Sequence, residues 1–188
     1  MSRFKDRLLA AITAAGTKPA DTDTQANKKN WNQRLSDGLA LAIAAELRDR
    51  GMTGALPAGP GQLGLSGAER RLAGGIGAKK VDVSWATEES GLIFAVSVKT
   101  IMFRDNATKN YQKNLTNRRG DLLVESVTLH RRFPYAVLTA FLFLDAGAEH
   151  DGTERRKSTF QNAFPRLRLL TRRPDPAGRE EQFGRFYL

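Results

Sequence analysis

The chain has 188 residues, 40% of them hydrophobic, and a formal charge of +10 from 30 Lys+Arg against 20 Asp+Glu. That size and apolar content predict one folded domain with at most a small N-terminal extension, and they exclude wholesale disorder. The absence of cysteine excludes disulfides and thiolate metal centres, and two histidines argue against a His-rich zinc site.

No apolar run approaches the roughly 20 residues of a membrane span. The first residues mix acids and bases around a short apolar stripe, unlike a secretory leader, so a cytoplasmic protein with no membrane association is expected. The basic excess is spread through both halves of the sequence and is not a detachable tail. It raises the expectation of a polyanionic partner, because bound phosphates release counterions.

In chain order, residues 3–15 read as a short helix, with Phe4, Leu8, Leu9 and Ile12 on one side and Gly16 as its stop. Residues 17–29 are polar and predict a loop or linker. A stronger helix follows from about Trp31 to Arg50, with Leu35, Leu39, Ile43 and Leu47 at i+4 spacing and Gly51 ending it. Residues 51–65 are rich in Gly and Pro and predict an irregular loop. Ser66 to Ala73 then reads as a short helix.

Two strands follow, Lys79–Trp85 and Leu92–Lys99, joined by a polar turn. Side chains two apart share a face of a strand. Val81, Val83 and Trp85 therefore make one apolar face with Leu92, Phe94, Val96 and Val98, while Asp82, Ser97 and Lys99 take the other. If Trp85 opposes Leu92, Asp82 faces Ala95 and lies diagonal to Ser97, roughly 5–8 Å away. An aspartate and a lysine aimed into one small region suit metal-dependent phosphodiester cleavage. The carboxylate would hold a hard cation, and the ammonium would orient or activate water and offset phosphate charge.

After Lys99 comes an Asn-rich polar stretch, then a helix from about Arg118 to Arg131 that Pro134 terminates. The apolar run Tyr135–Asp145 predicts a buried central strand. A last helix near Ser158–Leu170 and an edge strand at Phe183–Tyr187 complete an α/β sandwich around a mixed sheet.

That order, with Asp82 on the first hairpin strand and Ser97-Val98-Lys99 closing the second, resembles the PD-(D/E)xK nuclease superfamily, the fold of type II restriction endonucleases and many repair nucleases. The matching segment runs from about Glu69 to Leu144. Val81 stands where the family often has Pro, and Ser97 where it usually has an acid. The Ser-x-Lys tripeptide looks like the branch in which the missing carboxylate comes from elsewhere in the chain. The resemblance implies a glutamate from the helix after the lysine strand, Glu125, or from the helix before the aspartate strand, Glu69.

It further implies a restriction-endonuclease-like α/β core, a mixed central sheet flanked by helices, over residues 61–188, with residues 1–60 as a helical extension. The implied catalytic set is Asp82, Lys99, Ser97, Glu69 and Glu125, with Asp82, Glu69 and Glu125 as ligands of Mg2+ or, in its place, Mn2+. The implied activity is that of a type II restriction endonuclease cutting double-stranded DNA, as a homodimer, with a companion methyltransferase acting on the same site. Two alternatives stay open: a catalytically inactive DNA-binding module on this fold, and a structure-specific repair or mobile-element nuclease.

Several residues have plainer readings. Ser66-x-x-Glu69 is a capping box in its own right. Glu125 falls at the margin of an apolar arc formed by Leu122, Leu123, Val127 and Leu129, and so could face inward or outward. Lys109, Asn110, Gln112, Lys113, Asn114, Asn117, Arg118 and Arg119 offer either a DNA-facing surface or a polar helix start capped by Asn117. His130, Arg131 and Arg132 complement a helix C-terminus. Arg155, Arg156 and Lys157 read as a solvated face.

Overall fold

In the computed structural model, residues 3–62, 70–73, 75 and 77–188 are described. Helix α1 spans Arg3–Ala14 and α2 spans Gln25–Asp49. The second helix starts inside the segment expected to be linker, because Thr24 caps it. Thr24 Oγ1 accepts from the Asn27 amide at 3.2 Å, and Asp23 Oδ1 accepts from the Asn27 side chain at 2.9 Å. Gly16 and Gly51 end the two helices with positive φ, where only glycine is unstrained.

Strands β1 (Arg70–Ala73) and β2 (Ala78–Val81) pair antiparallel as a separate two-stranded ribbon. The helix expected over 66–73 is therefore corrected at residues 70–73, while residues 66–69, Glu69 among them, lie outside the described residues. A helix that short is marginal on its own, and strand pairing overrides it here.

The main sheet contains β3 (Val83–Thr87), β4 (Gly91–Ile101), β5 (Val137–Leu144) and β6 (Arg185–Tyr187), in that spatial order. The β3–β4 pair is antiparallel, and the next two pairs are parallel. Between β4 and β5 lies α3 (Gln112–Arg132), and between β5 and β6 lies α4 (Thr159–Leu167). The sheet is mixed and helices flank it.

Alternation along the strands separates two cores. Ala95, Ile101, Leu138, Ala140 and Leu142 pack with Leu115, Leu122 and Leu129 of α3 and Leu167 of α4. Phe94, Val96, Val98, Phe141 and Phe143 point the other way, onto Ala11 of α1 and Trp31, Leu35, Leu39 and Ile43 of α2. Both inner strands are covered on both faces, which is why they read as nearly continuous apolar runs. Truncating a buried leucine such as Leu122 or Leu138 to alanine removes about 2–5 kcal/mol of such packing.

Two hairpin expectations change. The strand predicted over 79–85 breaks at Asp82, which occupies a bend between β2 and β3. The bend reverses the side-chain faces, so Val81 joins the α3 core while Val83 joins the α2 core. Trp85 opposes Phe94, not Leu92, because the register shifts between Trp85 and Ala86.

Helix α3 begins six residues earlier than expected, which places Asn117 inside it and rules out Asn117 as its cap. Asn110 Oδ1 instead accepts from the Gln112 amide at 3.0 Å, and Asp151 Oδ2 accepts from the Tyr111 amide at 3.0 Å. The same Asp151 accepts from the Thr159 amide at 2.6 Å and its hydroxyl at 2.5 Å, tying the start of α4 to the start of α3. Burial opposes the Asp151 charge, but these bonds prevail and hold its pKa below the usual carboxylate range. A lowered folded pKa supplies stability at neutral pH that is lost as pH falls through and below that range. Asp151→Ala is expected to cost about 3 kcal/mol in urea unfolding at pH 7. The deficit should shrink as the pH is lowered towards 3, and a deficit constant with pH would contradict this account.

Among the described residues, no helix is long and apolar enough to cross a membrane.

Candidate active site

Three elements bring three charged side chains together. Lys99 projects from the inner strand β4 towards α3, and its Nζ lies 3.0 Å from Glu125 Oε2 and 3.6 Å from Asp82 Oδ2. The two carboxylate oxygens thus flank a single point. Asp82 reaches it because the bend at its own backbone turns the carboxylate across the end of β3. Its Oδ2 accepts from the Val98 amide at 2.6 Å, so the backbone of the lysine strand fixes the aspartate. That clamp is not visible in residue spacing.

Helix α3 settles which way Glu125 faces. Leu122, Glu125, Ser126 and Leu129 are buried, whereas Leu123 turns to solvent. The apolar arc is therefore rotated from the expected one, and Glu125 lies within it, one turn from Leu122 and Leu129. A buried carboxylate is tolerated there because Lys99 faces it. Ser97 is buried beside it, and its hydroxyl faces Glu125 without forming a well-aligned hydrogen bond. An acid at position 97 would compete with Glu125 for the same space.

The electrostatics differ residue by residue. Burial works against the Lys99 ammonium, but Glu125 and then Asp82 outweigh it and raise its pKa above the ordinary lysine value. Lys99 is thus a cation at neutral pH: it can donate hydrogen bonds and offset negative charge, but it is a poor base. Burial pushes the Glu125 carboxyl up, with Lys99 opposing. Side-chain exposure is 25% for Asp82, 16% for Lys99 and 3% for Glu125, so the centre opens to solvent on the aspartate side.

The eight polar residues expected to face DNA are engaged in different ways. Asn110 is buried at 8% exposure and is spent on the local turn, where its amide donates to Thr108 O at 2.9 Å. Asn114 donates to Phe103 O at 3.1 Å, and Lys113 pairs with Asp105 at 3.2 Å. The side-chain amide of Gln112 and Arg119 Nε are shielded from water with no hydrogen-bond partner. Lys109 and Asn117 are exposed, and Arg118 pairs with Asp121 at 2.7 Å. Base reading by Asn110 is thereby excluded in this arrangement.

No family model matches the chain, and no curated protein or solved structure is similar enough to it to carry an argument.

Proposed function

We propose that this chain is a divalent-cation-dependent DNA endonuclease on a restriction-endonuclease-like core, most specifically of the type II restriction kind. The observation that supports it above all others is Lys99 set between Asp82 and Glu125, each delivered by a different element. A carboxylate at a strand break, a lysine at the strand end and a glutamate from the following helix match the arrangement that the Ser-x-Lys tripeptide implied.

The donor set suits a hard ion. Among the described residues no three His, Cys, Asp or Glu side chains gather into one cluster, so a protein cage is not on offer. Mg2+ typically takes one or two carboxylates and completes its shell with waters and phosphate oxygens, and Mn2+ shares that preference for oxygen donors. Asp82 and Glu125 would hold it. When bound, such a cation polarises phosphoryl oxygens and acidifies water. Asp82 is the carboxylate open to an incoming substrate, while Glu125 supplies charge from the interior. The Lys99 ammonium neutralises charge that develops on the phosphate, an effect commonly worth two to three orders of magnitude per donor. A homodimer would set two such centres across a duplex, each cutting one strand.

A second reading, a DNA-binding module without catalysis, has one observation in its favour. Lys99 already balances the Glu125 charge, so the centre is satisfied with no ion present.

Purified protein with plasmid and Mg2+, against the same mixture in EDTA, separates these readings. Discrete fragments in Mg2+ alone are the expected result. A smear would indicate a non-specific nuclease, and preference for branched or nicked DNA a structure-specific one. Salt-sensitive DNA binding with no cutting in Mg2+ or Mn2+ would leave the binding module and overturn the enzyme.

A further inference from the structure

Next to the carboxylate–lysine centre, a cleft of about 450 Å³ opens between the first half of α2, the segment following β4, and the start of α3. Its cationic lining is Lys28, Lys29, Arg104 and Arg118, against the single acid Asp105. That acid is spent. It accepts from the Ala107 and Thr108 amides, pairs with Lys113, and its pKa is drawn down to about 2 by these bonds. Lys28 is buried in the wall, donating to Asp21 O at 2.9 Å with its ammonium 5.8 Å from the Phe103 ring. Lys29 is exposed and enters no ion pair among the described residues. Arg118 links the cleft to the centre: it lines the cleft and lies close enough to Lys99 to repel it, although Asp82, Lys99 and Glu125 are themselves outside the lining.

We propose that this cleft is the track along which one strand of the DNA duplex approaches the centre, with Lys29, Arg104 and Arg118 taking its phosphates. The inference rests on the DNA reading above and adds a wall to it. Helix α2, which by sequence is only an extension, becomes part of the substrate-binding surface. Arg118 is shared with Asp121 at 2.7 Å and Arg104 lies 4.0 Å from Asp21, both pairs being partly exposed, so with Lys29 the lining still presents cationic groups to solvent, complementary to a polyanion. The lining is otherwise amide- and hydroxyl-bearing, as in Asn32, Ser36 and Asn106, which suits phosphate and sugar edges better than apolar peptide side chains.

The test is anisotropy of a labelled 20-base-pair duplex in EDTA, where no cutting occurs, over a series of salt concentrations. Lys29→Ala and Arg104→Ala are each expected to weaken binding about tenfold and to lower the slope of log K against log salt by about one. Lys29→Glu should weaken it further, and its exposed helical position leaves the fold intact. Arg155→Ala, in the charged loop before α4, should bind as the wild type does. Wild-type affinity and slope in both cleft variants would overturn the track, and continued cutting by those variants in Mg2+ would show that the nuclease reading survives it. A wild-type protein that binds no duplex would sink both. Double-stranded RNA, or an acidic peptide, bound with the same dependence on Lys29 and Arg104 would overturn the assignment to DNA.

Discussion

Asp82→Asn and Glu125→Gln are each expected to lower Mg2+-dependent cleavage at least about a hundredfold, which corresponds to a barrier raised by about 2.7 kcal/mol. Each substitution removes one of the two charges that would hold the cation, and nothing else among the described residues replaces it. The asparagine keeps an oxygen able to accept from the Val98 amide, so loss of activity would not be loss of fold. Single-turnover cleavage across a Mg2+ series is the measurement. Weaker cation binding should appear as a shift to higher Mg2+, more pronounced for the solvent-facing Asp82. Wild-type rates in Asp82→Asn would remove the catalytic assignment altogether. Lys99→Ala should cost about 10²–10³, because the ammonium would offset charge developing on the phosphate.

The second large effect is on stability. Lys99→Met leaves the Glu125 carboxylate buried with no countercharge, and about 3–5 kcal/mol should be lost in urea unfolding at pH 7. The double variant Lys99→Met/Glu125→Leu should recover most of it, since replacing both charges by apolar groups leaves nothing unpaired. Alkaline pH provides an independent check. The folded pKa of Lys99 lies above its unfolded value, so its stabilising contribution is complete below the ordinary lysine range and is lost as pH rises through the raised value. Glu125 acts in the same sense at lower pH: its raised folded pKa favours the folded state in acid, and that contribution fades as pH rises above the ordinary glutamate range. The stability difference between wild type and the double variant should therefore move against the wild type above about pH 10. A difference that stays flat from pH 8 to 11 would mean that Lys99 is not held by these carboxylates.

The sequence was most informative where a single physical rule dominated. The apolar run after Pro134 had only one compatible placement, an inner strand of the sheet, and β5 lies there paired on both sides. The stop signals at Gly16, Gly51 and Pro134 worked because backbone geometry enforces them locally. Asp82 and Lys99 were legible as a pair from strand alternation, even though the strand breaks at Asp82 and the assumed register was wrong. The elements that were misread depended on partners distant in sequence. Arg70–Ala73 is a strand only because residues 78–81 run beside it. The early start of α3 needs Asp151, forty residues on, to bind the Tyr111 amide. Glu125 could not be oriented from its helical angle alone, since what turns it inward is a lysine on another element. The polar first half of α2, with Lys29 and Asn32, carried no signal of its own, and only the folded arrangement brings it to the cleft that Arg118 also lines.

The hydrogen bond from Val98 to Asp82 has one more consequence. Oδ2 is engaged by a backbone amide and faces an ammonium, which leaves Oδ1 as the oxygen outside these contacts. A carboxylate restrained in that way would hold a cation through a single atom. Large ions such as Ca2+ gather six to eight oxygens and often take carboxylates by both, whereas the smaller Mg2+ keeps its waters and accepts one-point attachment. Were the proposed cation bound, discrimination by ionic size would thus follow from the backbone contact that holds Asp82.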